Sequence, residues 1–325
     1  MRRLLTGLLV LTFAVLSGMT LQALGRVFSL DVTAPAASWK ELNGTRLVLI
    51  SRERDTPFWS RLEEGAFAAA RRHGVGLEAW GSFGLNEADF LRNLELAIAS
   101  RVDGIIAQGL DTDEFKKLTS IRAAEYGIPV ITVASDVPVT ESMRRTYVGS
   151  DHREAGRLVA ERLVADMGEA GTVVLLTSTR QEHYERERLA GILDVTGRFP
   201  GIAVEVAESE SARDEVARTV RDRLNARPDA KAFISVAHHH AGVIAREIGR
   251  RYRTSDFYLY AFDENPETVQ LLRDGVLRGI VAEDPHRMGE WSVSLMVRWL
   301  EGADLPLDMD GYFTDIRLVT REALP

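Results

Sequence analysis

From Arg46 onward the chain alternates short, unbroken apolar runs with longer stretches of helical spacing, and it does so twice over. The runs are LVLIS (47–51), VGLEAWG (75–81), VDGIIAQG (102–109) and IPVITVAS (128–135). Helical spacing fills Phe58–His73, Glu87–Ser100 and Asp113–Tyr126, with Gly74 and Gly127 as stops. An apolar run with no polar alternation marks a strand covered on both faces, which is the signature of a parallel sheet. The order β-α-β-α-β-α-β therefore predicts a doubly wound α/β lobe with right-handed crossovers. After Tyr147–Ser150 the pattern restarts. Helices are expected at His152–Met167, Tyr184–Phe199, Asp214–Ala226 and His240–Tyr252. Between them run GTVVLLT (171–177), GIAVEVAES (201–209), KAFISVA (231–237) and FYLYAFD (257–263). Two lobes of one architecture imply a cleft between them.

In open α/β sheets ligands bind beyond the carboxyl ends of the strands. The segments placed there are Arg52–Trp59, Gln108–Asp111, Ala134–Asp136, Thr179–Arg186, Ala237–His239, Asp263–Asn265 and Glu283–Asp284. They are rich in polar and aromatic groups. Planar polar side chains make paired hydrogen bonds to hydroxyls and aromatic faces cover apolar C–H surfaces, so the pattern fits a sugar or polyol.

Composition narrows the alternatives. The 325 residues carry a formal net charge of −8 and no sustained basic cluster, which argues against nucleic acid as a partner. There is no cysteine, so disulfides, thiolate zinc sites, cysteine nucleophiles and lipidated cysteine are all excluded. No nucleophile elbow, phosphate-binding loop or H-E-x-x-H helix is present, and no cofactor is called for. The expectation is a binding protein, not an enzyme. His238-His239-His240 does not read as a metal site, because consecutive residues at a helix start point about 100° apart.

The N-terminus points outside the cytoplasm. Arg2 and Arg3 precede a mostly apolar run from Leu4 to Leu24. Residues 1–25 read either as a cleaved signal peptide or as a signal-anchor helix, since the run has about the length needed to cross a bilayer. The arginines before it agree with the positive-inside rule. Residues 26–43 read as a linker.

Six motifs, in order, resemble the type I periplasmic binding proteins, in the ribose- and galactose-binding branch that also holds the ligand domains of LacI-type repressors. They are TPFW (56–59), VDGIIAQG (102–109), GIPVITVASD (127–136), Arg186-Glu187-Arg188 with Gly191, AFDENPE (261–267) and DGVLRGIVAEDPHRMGE (274–290). The resemblance runs from about Thr45 to the C-terminus. It implies two doubly wound parallel-sheet lobes joined by a three-crossing hinge, preceded by the N-terminal apolar helix. The lobes are expected at 44–147 with 284–313 and at 148–283 with 314–325. The crossings are expected near Tyr147–Gly149, Glu283–Pro285 and Tyr312–Thr314.

Residue by residue, the resemblance implies that Phe58 and Trp59 contact the ligand, that Arg186 grips its oxygens from the second lobe, and that Asp263 accepts its hydroxyl hydrogens. Glu283 stands at the lobe crossing and Asp136 near an acidic position after the fourth strand. Asp55, Thr56, Ser135, Ala237 and His238 complete the expected ligand-binding set. The sequence departs from the family pattern where an Asp-Arg pair is common after the fourth strand, which reads Ala134-Ser135-Asp136 here, and where Ala237-His238 replaces Asn-Asp. The expected partners are a small-molecule ligand and a membrane permease. The alternative is a sensor kinase, with the chain held at the membrane by residues 4–24. An amino sugar or another cationic molecule is the alternative ligand. A repressor would need a helix-turn-helix where the apolar run stands.

Overall fold

A computed structural model of the chain describes residues 44–82, 86–210, 212–237, 240–262, 264–303 and 305–324. The apolar run, the linker, His238, His239 and Asp263 lie outside the described residues. Among the described residues no helix is long and apolar enough to cross a membrane.

Two six-stranded sheets form the frame. The first is built from β1 (Arg46–Ser51), β2 (Gly76–Gly81), β3 (Gly104–Gln108), β4 (Val130–Val133), β5 (Thr146–Gly149) and β11 (Tyr312–Phe313), in the order β11-β5-β4-β3-β1-β2. Every pairing in it is parallel. The second holds β6 (Ala170–Ser178), β7 (Gly201–Ser209), β8 (Ala230–Ser235), β9 (Tyr258–Phe262), β10 (Gly279–Ala282) and β12 (Arg317–Val319), in the order β12-β10-β9-β8-β6-β7. Here β12 runs antiparallel to β10 at the sheet edge.

The apolar runs are explained by what covers them. In β1, Leu47 and Leu49 belong to one core cluster while Val48 and Ile50 belong to another. In β6, Val174 and Leu176 face one core and Val173 and Leu175 the other. These central strands thus bury both faces, where polar alternation has nowhere to sit, while the edge strands β2 and β7 stay partly exposed.

The helices are α1 (Pro57–His73), α2 (Glu87–Ala99), α3 (Asp113–Lys117), α4 (Val139–Ser142), α5 (His152–Met167), α6 (His183–Thr196), α7 (Arg213–Ala226), α8 (Ala241–Gly249), α9 (Pro266–Arg273) and α10 (Pro285–Leu300). α1 packs on α10 in the first lobe and α5 on α6 in the second. Both crossings are tight for the same reason. A Cβ at Gly65 would lie 1.9 Å from the His286 carbonyl oxygen, and one at Gly289 2.0 Å from that of Leu62. In the second lobe, Cβ atoms at Gly156 and Gly191 would lie 2.1 and 1.9 Å from the carbonyl oxygens of Arg188 and Arg153.

Three differences from the sequence reading have local causes. The helix expected over Asp113–Tyr126 widens to a π-helical stretch over Leu118–Ala123. Tyr147–Gly149, near which a crossing was expected, forms the end of β5, and the chain crosses just after it, between Gly149 and His152, where Asp151 caps α5 by accepting from the Glu154 amide. The chain then crosses back between Ala282 and Pro285, and a third time between Phe313 and Arg317. That last return reverses direction, which is why β12 is the one antiparallel strand in the described sheets.

Candidate functional site

A cavity of about 450 Å³ opens between the carboxyl ends of the two sheets. The first lobe supplies Arg52 after β1, Thr56, Phe58 and Trp59 at the start of α1, Gln108 at the end of β3, and Ala134 and Ser135 after β4. The second supplies Thr179, Arg180, Glu182, Tyr184, Arg188, Ala237 and His240, and Glu283 lies at the second crossing.

The aromatic pair is set by a helix cap. Thr56 is extended, and its hydroxyl accepts from the Trp59 amide at 3.4 Å and donates to the Glu53 carbonyl at 3.2 Å. Pro57 at the first turn has no amide to satisfy. The two rings that follow meet edge to face at 5.7 Å. Trp59 is buried in the core under α1. Phe58 is half-buried, which leaves its ring to line the cavity.

On the second lobe the central group is Arg188. It is fully buried. Its guanidinium donates to the Val236 carbonyl at 3.3 Å and to Glu283 at 3.2 Å, and lies 4.2 Å from the Phe262 ring centre and 4.9 Å from that of Tyr184. Glu283 also meets His152 Nδ1 at 3.4 Å. His152 Nε2 lies 3.0 Å from the Ala134 carbonyl, so this ring spans from the first lobe's strand end to the crossing glutamate. The Tyr147 hydroxyl touches the same ring at 3.2 Å. Burial first, and then the nearby Glu283 and Asp136 carboxylates, push Tyr147 well above the usual phenol range, so it stays a donor.

Ion pairs join the lobes across the cleft. Arg52 reaches Glu182 at 3.0 Å, Arg186 reaches Asp111 at 2.5 Å, and Arg180 reaches Glu87 at 3.3 Å. Hydrogen bonds from Lys116 first, and from Arg186, hold the Asp111 carboxyl below its ordinary range.

Of the expected ligand-binding residues, Thr56, Phe58, Trp59, Ser135, Ala237 and Glu283 line this cavity. Asp55 is exposed and lies outside the lining. Asp136 also lies outside it. Its carboxylate is buried against Arg144 at 2.6 Å and accepts from Thr132 at 2.6 Å, so it serves the fold of the first lobe. Arg186 does not line the cavity: it reaches across to Asp111 and donates to the Gln181 carbonyl, while Arg188, two positions further along α6, takes a different direction and lines it. The helical stripe Tyr184, Arg188, Ile192, Val195 marks the buried face and was readable from spacing alone. Arg52, Gln108, Glu182 and His152 were not singled out. The first three fall in the strand-end segments, but nothing in the sequence announces that Arg52 and Glu182 meet, 130 residues apart.

Two matched sheets, a cleft at their carboxyl ends and polar side chains from both lobes around one cavity define a two-lobed binding protein. The chain belongs to the periplasmic binding protein family, whose domain model matches residues 47–304. It is 22% identical over 306 residues to the ribose import binding protein of Escherichia coli, covering 94% of this chain and all of that one. A D-ribose/D-allose-binding protein of Pseudomonas aeruginosa is 22% identical over 85% of this chain and 88% of its own length. Among solved structures, a glucose-galactose binding protein from Geobacillus stearothermophilus superposes with a TM-score of 0.81 at 31% identity, covering 86% of this chain and 99% of that one. A solute-binding protein from Burkholderia graminis in complex with D-arabinose superposes with a TM-score of 0.78 at 25% identity, over 86% and 96% of the two chains.

Proposed function

We propose that this chain is an extracytoplasmic solute-binding protein that takes a monosaccharide between its lobes and delivers it to a membrane permease. The observation that carries the reading is the cavity of about 450 Å³ with Phe58 on one wall and Arg188 tied to Glu283 on the other. An aromatic face and rigid bidentate donors are what a small polyol needs, and the volume falls in the range of small-molecule sites, about 300–1,000 Å³. Relatives whose names state a role include ribose, ribose/allose and glucose-galactose binders. Binding without chemistry accounts for the site. The lobes close on the ligand because only the closed arrangement offers both half-sites, so ligand shifts the balance between open and closed forms. Delivery to a permease is preferred over sensing. The curated relatives named for a role include the ribose import binding protein of Escherichia coli, an uptake role.

Calorimetric titration with D-ribose, D-allose, D-arabinose, D-glucose, D-galactose and D-glucosamine tests the proposal. Saturable 1:1 binding of at least one neutral sugar is expected. Preference for the amino sugar moves the ligand class to cations. Absence of binding to any of them defeats the carbohydrate reading.

A further inference from the structure

Two polar groups in the cavity wall have unmet hydrogen-bonding capacity. Among the described residues, Arg52 Nε and Ser135 Oγ are buried and have no partner. Arg52 is 7% exposed and Ser135 2%. Neither is loosely held. The Arg52 amide donates to Gln108 Oε1 at 3.1 Å, and its carbonyl accepts from the Ser82 hydroxyl at 2.8 Å. The Ser135 carbonyl accepts from the Gly109 amide at 2.9 Å, an approach so close that a Cβ at Gly109 would lie 2.3 Å from that oxygen. Both residues therefore stand fixed along the carboxyl edge of one sheet, at the ends of β1 and β4 with β3 between. A buried donor without a partner is expensive, and in a concave site the group that repays it is a ligand atom.

The other end of Arg52 makes the arrangement informative. Its Nη1 donates to Glu182 on the opposite lobe at 3.0 Å. Glu182 is itself held as the N-cap of α6, in a capping box with Glu185. Resting on the binding reading above, we infer that Arg52 couples ligand occupancy to lobe closure. Its Nε–H donates to a ligand oxygen on the first lobe while Nη1 holds the second lobe, and Ser135 Oγ takes a neighbouring ligand hydroxyl. The same guanidinium serves both, so ligand and closure stabilise each other. The oxygen it binds is a neutral hydroxyl or ring oxygen, because Glu182 already balances the arginine. The cavity lining as a whole sets six glutamates against three arginines, which disfavours sugar acids and sugar phosphates.

The test is calorimetry and stopped-flow binding on the purified full chain with the sugar panel above plus D-galacturonate. Wild type is compared with Arg52→Met, Arg52→Lys, Ser135→Ala and Glu182→Gln, and then with monodeoxy analogues of the tightest-binding sugar. Arg52→Met is expected to weaken binding at least tenfold and Ser135→Ala about fivefold. Glu182→Gln is expected to raise the dissociation rate at least threefold with little change in association. At one deoxy position, the gap between Arg52→Met and wild type should shrink to about the gap that Glu182→Gln shows, because the partner oxygen is gone from both and only the interlobe ion pair still separates them. A purely structural role would leave the ratio of variant to wild type constant across every analogue, and that result overturns the assignment. Arg52→Lys carries the cycle if Arg52→Met fails to fold. An unchanged dissociation rate in Glu182→Gln removes the coupling, and tighter binding of D-galacturonate than of its neutral parent removes the neutral oxygen. Wild type that binds no sugar overturns the proposed function and this inference together. Wild type that binds, with variants that bind as well, overturns the inference alone.

Discussion

Gly289→Ala probes the helix pair that presents the aromatic wall. A Cβ at 289 would sit 2.0 Å from the Leu62 carbonyl oxygen and 2.8 Å from the Ala66 amide nitrogen, where ordinary contact begins at 3.4 Å. The backbone of α1 has no flexible end to yield, so α1 and α10 must part by roughly 1 Å; a radial gap of about 0.5–1 Å forfeits a quarter to a half of each dispersion contact it opens. The side chains affected are large and fully buried, Leu62 and Met288 among them. Against this, alanine in a helix interior is favoured over glycine by about 1 kcal/mol. Overpacking of this kind costs about 1–3 kcal/mol or more, so the expected net loss is about 2 kcal/mol. Urea denaturation followed by tryptophan emission reads it, since Trp59, Trp291 and Trp299 belong to or pack against the same core. Gly74→Ala is the control. Its φ of 67° is strained for alanine but nothing lies within 4 Å, so it should cost only the left-handed penalty, about 1 kcal/mol. Sugar affinity should fall in Gly289→Ala, because Phe58 rides on α1, and should be unchanged in Gly74→Ala. A Gly289→Ala protein as stable as wild type, or no less stable than the control, refutes the close-crossing argument.

Other changes have definite expected outcomes. Arg188→Met leaves Glu283 buried without its guanidinium and should cost about 3–5 kcal/mol in denaturation while abolishing sugar binding in calorimetry; adding Glu283→Gln should recover part of the stability. Asp136→Asn strands the buried Arg144 and should lower stability by about 3 kcal/mol, yet leave sugar affinity of the folded protein within twofold. Asp194 carries a pH dependence. Hydrogen bonds from Arg153 first, and from Arg157, lower its carboxyl to about 2 from 3.8, so it adds stability that is present above pH 3.8 and lost as the pH falls through about 2. The melting-temperature gap between wild type and Asp194→Asn should therefore shrink between pH 5 and pH 2. A gap that stays constant would show that the ion pair between α5 and α6 adds nothing.

The strands and the doubling of the lobes were legible because burial on both faces writes unbroken apolar runs into a chain, and helix stops such as Gly74 are local. What was not legible depended on register or on distance. Arg186 and Arg188 are the same residue type two positions apart, and only the direction each takes from α6 separates them. Asp136 carried the right charge at nearly the right place, but its partner Arg144 lies on the approach to β5 and draws it out of the cavity. The departure at Ala134-Ser135 removed a positive charge from the end of β4. Arg52 brings a guanidinium to the same cavity from the end of β1, two strands away across β3, an exchange that no motif records. β5 was mistaken for a connection because four residues between two turns leave little periodicity to read.

The pairing of α1 with α10 also fixes the order in which the molecule can be completed. The first lobe's sheet starts at Arg46, yet the helix that covers Leu62, Ala66 and Ala69 begins at Pro285, and β11 arrives at Tyr312. The second lobe is nearly contiguous, from His152 to Ala282, and lacks only β12. A chain made from its N-terminus therefore begins with the lobe it finishes last. Until the final stretch emerges, one face of β3, β4 and β5 and the apolar side of α1 stand bare, and the pairing edge of β5 is open, a long-lived invitation to self-association that shorter loop closures would have avoided.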